Sequence, residues 1–107
     1  MKTAKLSEMI GGWFVGDFNP TLVRTKDFEV AVKYYKKGDL EKKHVHRIAT
    51  EITVVVTGRV RMFDREFAQG EIILLEPNDP TAFEALEDSI TAVVKFPSVM
   101  NDKFILD

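Results

Sequence analysis

From residue 28 to residue 35 the chain alternates strictly. Phe28, Val30, Val32 and Tyr34 fall on one side, and Glu29, Ala31, Lys33 and Tyr35 on the other. A period of two is the signature of a half-buried strand, because successive side chains leave a strand on opposite faces. The same reading predicts strands over residues 44–46, 51–57, 59–63, 66–70, 71–76, 81–86 and 89–96. Val60 and Met62 are expected to point inward in the third of these, and Ile90, Ala92, Val94 and Phe96 share one side of the last. Lys37-Gly38-Asp39, Asp64-Arg65 and Pro77-Asn78-Asp79-Pro80 carry turn chemistry. No amphipathic helix of useful length interrupts the series, and residues 1–11 hold at most one helical turn. Short strands between Gly, Pro and Asp turns predict an all-β, antiparallel sandwich or barrel.

The composition suits such a fold. A chain of 107 residues with 45% hydrophobic content and eight Phe predicts a single domain over 1–107 with one small core. Met62 and the phenylalanines at strand spacing are expected in that core. A net charge of −2 argues against general affinity for nucleic acid or membranes. Val54-Val55-Val56 and Ile72-Ile73-Leu74-Leu75 are too short to span a bilayer. No charged segment followed by an apolar one opens the chain, so no signal peptide is expected and the location is expected to be cytoplasmic. Without cysteine there is neither a disulfide nor a thiolate ligand. Charge is uneven: Lys33, Lys36, Lys37, Lys42, Lys43 and Arg47 outnumber Asp39 and Glu41 between residues 33 and 47. This is either a cationic rim for an anionic ligand or a solvated turn.

The chain's two histidines, His44 and His46, are two residues apart, so both imidazoles can leave one face of a strand. Glu51 follows five residues later, and Gly38 and Gly58 frame the group. Two imidazoles and a carboxylate form a ligand set that suits Fe(II), and also Zn, Mn or Ni. The spacing is Gly, five residues, His-x-His, four residues, Glu, six residues, Gly. It closely resembles the first signature motif of the cupin family, with every fixed position filled.

A cupin's second motif has a glycine, a Pro-x-Gly-type turn and a histidine just before an aromatic. Residues 70–83 are similar to it: Gly70-Glu71 opens a strand and Glu76-Pro77-Asn78-Asp79 matches the turn. The two motifs, at 38–58 and 70–83, imply the double-stranded β-helix (jelly-roll) barrel of cupins. The second-motif histidine is missing, because Thr81 or Ala82, depending on the count, stands in its place. Asp79 and Glu84 are the nearby acids; Asp79 falls in the turn and Glu84 shares the parity of Ala82. Three protein ligands still suffice for a metal site that keeps open positions. The resemblance thus implies a weakly held divalent ion on His44, His46 and Glu51, beside a small-molecule substrate that is anionic or sugar-like. Loss of the ion is expected as the histidines protonate below about pH 6.5.

Two other readings remain open. A metal-free isomerase or epimerase acting on a sugar nucleotide would use His44 and His46 as proton carriers, with Tyr34 or Tyr35 as a phenol. A non-catalytic ligand-binding module would need no reaction. Trp13, Phe14 and Phe18 between glycines suggest a strand covering the barrel or meeting a partner, with a ligand-stacking platform as the functional version. Arg59 and Arg61 share a face, either outer or at the cavity mouth. Pro97 with Asn101-Asp102 is read as the chain leaving the barrel. Family resemblance implies a homodimer.

Overall fold

The computed structural model describes residues 1–107. Its strands are β1 (Trp13–Val15), β2 (Glu29–Tyr35), β3 (Leu40–His46), β4 (Thr50–Thr57), β5 (Arg59–Met62), β6 (Arg65–Ala68), β7 (Ile72–Leu75), β8 (Thr81–Ala85), β9 (Ser89–Phe96) and β10 (Lys103–Ile105). They pair antiparallel in two five-stranded sheets, ordered β1-β2-β9-β4-β7 and β10-β3-β8-β5-β6. Each sheet draws strands from both halves of the chain; this two-sheet antiparallel arrangement is the sandwich that the alternation predicts, and it is of the jelly-roll kind that the motif resemblance implies. Two short 3-10 turns, Leu6–Glu8 and Ile10–Gly12, replace the expected single helical turn. No helix is long and apolar enough to cross a membrane.

Between the sheets Val55, Val60, Met62, Phe83 and Ala85 form the buried core, with Tyr35, Phe67, Ile73 and Leu75 packed against it. Val60 and Met62 point inward as expected. Phe28, Phe63 and Phe96 do not join the core; each is exposed.

The reason is strand parity. In β2 the inward residues are Glu29, Ala31, Lys33 and Tyr35, and in β9 they are Ser89, Thr91, Val93 and Lys95. The apolar sides of both strands face outward. Register joins them to β4 and β7 in two unbroken rows across the outer face: Val32, Ala92, Val54, Ile72 and Val30, Val94, Ile52, Leu74. The opposite sheet has the reverse exterior, where Arg59 pairs with Glu66 and Glu87, and Arg61 with Glu84 and Glu66. Those two arginines thus lie on a solvated outer face.

The C-terminal segment also departs from expectation. After Pro97 the chain returns as β10 and pairs along β3, with Lys103 opposite His46 and Ile105 opposite His44. The histidines consequently end a seven-residue strand flanked on both sides, not the isolated three-residue strand expected at 44–46.

The two motif glycines differ in what they demand. Gly38 (φ +95°) needs only the left-handed backbone, with open space where a side chain would project. Gly58 (φ +89°) needs that backbone and also close approach, because a Cβ would collide with Ser89 Oγ and the Asp88 carbonyl. Gly38→Ala is expected to cost about 1 kcal/mol. Gly58→Ala should cost more than about 3 kcal/mol, strain and overpacking combined. Denaturant titration of both variants checks this ordering; equal losses would refute the close-approach argument.

Candidate functional site

β3, β8 and β10 on one sheet, and β2, β4 and β9 on the other, converge on a cavity of about 320 Å³. That volume lies at the small end of ligand pockets. Met62 and Phe83 separate it from the core, and Trp13 and Phe18 from the N-terminal segment wall its other side. β1 therefore covers the cavity by pairing with β2.

His44 and His46 are both buried and both line this cavity, as the two-residue spacing requires. Their ring centroids are 5.3 Å apart at 79°. Two imidazoles sharing one ion at about 2.1 Å would have ring centres roughly 5 Å apart, so this spacing fits a common ligand. The Nδ1–H of His44 donates to the Lys42 carbonyl at 2.7 Å, and that of His46 to the Asp102 carbonyl at 3.1 Å. A carbonyl only accepts, so each neutral ring carries its proton on Nδ1 and keeps Nε2 as the free lone pair. Backbone acceptors of this kind are the usual orienting groups behind metal-ligating histidines.

Asp102 is the residue that sequence reasoning missed most completely. Its buried carboxylate accepts four hydrogen bonds, from the backbone N–H groups of Arg47, Ile48 (both oxygens) and Ala49. Its own carbonyl holds His46. Burial alone would raise the Asp102 carboxyl, but these N–H donors, helped by His46, hold it below the ordinary range. One residue thus ties the β3–β4 turn to the C-terminal segment and sets the His46 ring. No local motif announces it, since its partners lie more than fifty positions away.

Glu51 reaches the same cavity from β4. In register it stands opposite Lys95, which stands opposite Glu29 on its other side, so three charged residues cross the inner face in one row. Lys95 Nζ lies 3.3 Å from Glu29 Oε1, and Glu29 Oε2 accepts a 2.7 Å hydrogen bond from Ser98 Oγ. Burial raises the Glu51 carboxyl above its ordinary value, with Glu41 pushing the same way against Lys95, Lys33 and Lys103. Burial, with Lys95 adding to it, lowers His46, so its imidazole is the more readily kept neutral. His44, His46 and Glu51 share one cavity, but no three His, Asp or Glu side chains form a closed ligand group.

The remaining sequence candidates sort by parity. Thr81 is buried in the cavity wall opposite His44, whereas Ala82 lies outside the cavity lining. Asp79 caps its own turn by accepting from the Glu76 N–H, and Glu84 pairs with Arg61 on the outer face. Neither replaces the missing histidine. Tyr34 is 69% exposed and lies outside the cavity; Tyr35 is the tyrosine that lines it, 4.4 Å from the Phe83 ring. Burial pushes the Tyr35 hydroxyl above its ordinary range. Of the cation-rich stretch only Lys33 enters the cavity, over the Trp13 ring at 5.1 Å. Lys36, Lys37, Lys42 and Arg47 are exposed, and Arg47 covers the Phe104 ring at 3.9 Å. The other cavity cations, Lys95 and Lys103, come from β9 and β10. Lys95 lies on the same side of β9 as Ser89 and Thr91, a polar side that gains meaning only beside Glu29 and Glu51.

No protein-family model matches this sequence, and no curated protein matches it. Many solved structures share its fold. An uncharacterised double-stranded β-helix protein from Klebsiella pneumoniae superposes with a TM-score of 0.71 at 19% identity, over 98% of this chain and 90% of that one. An RmlC-like cupin from Desulfovibrio desulfuricans gives 0.62 at 20% identity, over 70% of this chain and 76% of that one. A Bacillus subtilis oxalate decarboxylase with Mn(II) centres gives 0.63 at 19% identity, over 77% of this chain but 25% of that one. At these identities the likeness is one of fold. By that likeness, the chain has the double-stranded β-helix fold that these structures share.

Proposed function

We propose that this protein binds a divalent metal ion in its cavity through His44, His46 and Glu51, beside a small-molecule ligand. The observation that carries the reading is the pair of buried imidazoles, 5.3 Å apart, each anchored through Nδ1 with Nε2 left free. Fixed tautomers and a shared cavity are what a ligand pair needs before the ion arrives. Glu51 supplies the anionic ligand; its burial means that the ionised carboxylate gains from a cation. The Mn(II) centres of the oxalate decarboxylase, a protein of the same fold, add support. A bound ion would contribute Lewis acidity and open coordination positions. The chain's own contribution is to orient the rings, exclude water through Trp13 and Phe18, and meet a ligand's charged or hydroxyl groups with Lys33, Lys103 and Thr81. Such binding would make the chain a cytoplasmic small-molecule-binding cupin.

A metal-independent reading, acid/base chemistry on a sugar nucleotide or simple ligand binding, is favoured by the lack of a closed ligand group. Of the two tyrosines, Tyr35 and not Tyr34 is in reach of the cavity for this role. Its raised hydroxyl stays protonated and serves as a donor, not a base.

Metal analysis separates the readings. Wild-type protein is expected to hold about one equivalent of Mn²⁺ or Zn²⁺, and the folded His44→Ala/His46→Ala variant to bind at least a hundredfold more weakly. Equal metal content in both, or none in either, would overturn the proposal. Stabilisation by nucleotide sugars that survives chelator would favour the second reading.

Glu51 links the site to stability. Its folded pKa is raised, so its contribution is complete below the unfolded carboxyl value, about 4.3, and is lost as pH rises through the folded one. At neutral pH the metal-free carboxylate therefore costs stability. Glu51→Gln should raise the metal-free melting temperature at pH 7 by a few degrees, have little effect near pH 3, and lower metal affinity. Scans at both pH values test the sign.

Asp102→Ala leaves three backbone donors without their acceptor and is expected to cost about 2–4 kcal/mol. Asp102→Asn, which keeps one carbonyl acceptor, should lose less. Denaturant unfolding measures both, and an unchanged midpoint for the alanine variant would show that the turn does not need its clamp.

A further inference from the structure

We infer that Lys33 is a covalent site for a small ketone bearing an anionic group, which its amine captures as an imine inside the cavity. Lys33 reaches this cavity from β2, Lys95 from β9 and Lys103 from β10. Their surroundings differ. Lys95 is held against Glu29 at 3.3 Å, within the row of alternating charges. Lys33 takes part in none of the molecule's ion pairs, although Glu41 and Glu51 line the same cavity. What it has instead is the Trp13 ring at 5.1 Å, and Lys95 stands 5.4 Å from that same ring. A lysine amine becomes a nucleophile when it is partly desolvated, has no carboxylate holding its proton and stands near another cation. Lys33 meets all three conditions: it is half-buried, unpaired, and shares an indole with Lys95. Burial lowers its ammonium below the ordinary lysine range; Glu41 and Glu51 work against this, and Lys103 and Lys95 work with it.

The step balances without an oxidant, a reductant or a metal ion. The Lys33 ammonium gives one proton to water, and the free amine attacks the ketone carbon. The carbonyl oxygen then leaves as water while the C=N bond forms. Tyr35, two residues along the same face of β2, keeps its proton and supplies a hydroxyl donor beside the departing oxygen. The protonated imine is again a cation, so the indole face that accepts the ammonium accepts the product as well. Lys103 accounts for the anionic group. It too is free of ion pairs, and it meets the cavity from the sheet opposite Lys33. A ligand with a carbonyl at one end and a carboxylate at the other answers both lysines, and a cavity of about 320 Å³ keeps it small. The imine shares this cavity with the proposed ion and does not depend on it, because Lys33 is not one of the ion's ligands.

Borohydride trapping with pyruvate, on the full chain at neutral pH with chelator present, tests this. Reduction turns the imine into a stable secondary amine. Mass spectrometry is expected to find a single adduct per chain, on the peptide that contains Lys33. Lys33→Arg keeps a cation over Trp13 but offers no nucleophile, and should lose the adduct. The labelled position is read directly on wild type, so the result stands whether or not that variant folds. Lys36→Arg, at an exposed lysine outside the cavity, should keep the adduct. Hydroxyacetone, of similar size but uncharged, should be trapped at Lys33 less completely, and Lys103→Gln should lower the pyruvate yield toward that level. No adduct with either ketone, labelling spread over exposed lysines, or an adduct that folded Lys33→Arg retains would overturn the inference. Equal trapping of the two ketones would overturn the anionic group. With chelator present, a failure here leaves metal binding by the histidines standing, and a metal-free wild type leaves the Lys33 adduct standing.

Discussion

Four hydrogen bonds to one buried carboxylate hold this fold's functional end together. Asp102 gathers the N–H groups of Arg47, Ile48 and Ala49, the point where β3 turns into β4 and the chain crosses between sheets. Those donors are beyond the reach of either ladder, and an unmet buried N–H is expensive. Meeting them with a charged acceptor fixes the crossover, and with it the relative placement of His46 before the turn and Glu51 after it. The Asp102 carbonyl then sets the His46 ring. Site geometry and crossover geometry are one constraint.

The interior is correspondingly divided. Around Val55 and Val60 the sheets meet through aliphatic side chains. Toward the histidines the same strands present Glu29, Lys33, Thr91 and Lys95. The strands β2 and β9 turn their polar and charged residues inward and carry their apolar ones on the outside. The cavity is thus a consequence of parity as much as of shape.

Parity also explains what the sequence could reveal. That His44, His46 and Glu51 would meet at one cavity was legible because spacing within one strand and across one turn is local. Val60 and Met62 were legible for the same reason. Alternation in β2 marked the strand correctly but not its direction, since both sides of that strand hold large residues. Tyr35 enters the cavity while Tyr34 faces outward, against the simplest hydrophobic-inside expectation. In β9 the lone Lys95 among Ser89, Thr91 and Val93 signalled a wet inner face only once its cross-strand partners Glu29 and Glu51 were known. β10 is three residues long, and Asp102 precedes it by one position. Neither carries a periodic signal, and both owe their place to contacts with β3 and its turn.

The row from Glu29 through Lys95 to Glu51 has a further implication for how anything enters. Lys33, Lys95 and Lys103 face Glu29, Glu41 and Glu51 around a pair of imidazoles anchored through Nδ1. With fixed cations and anions in equal number, the field of the cavity falls off quickly outside its mouth. Solutes are therefore not drawn in from afar by their total charge. Any selection by charge is left to the last few ångströms, where the signs alternate along the cavity wall from Glu29 through Lys95 to Glu51.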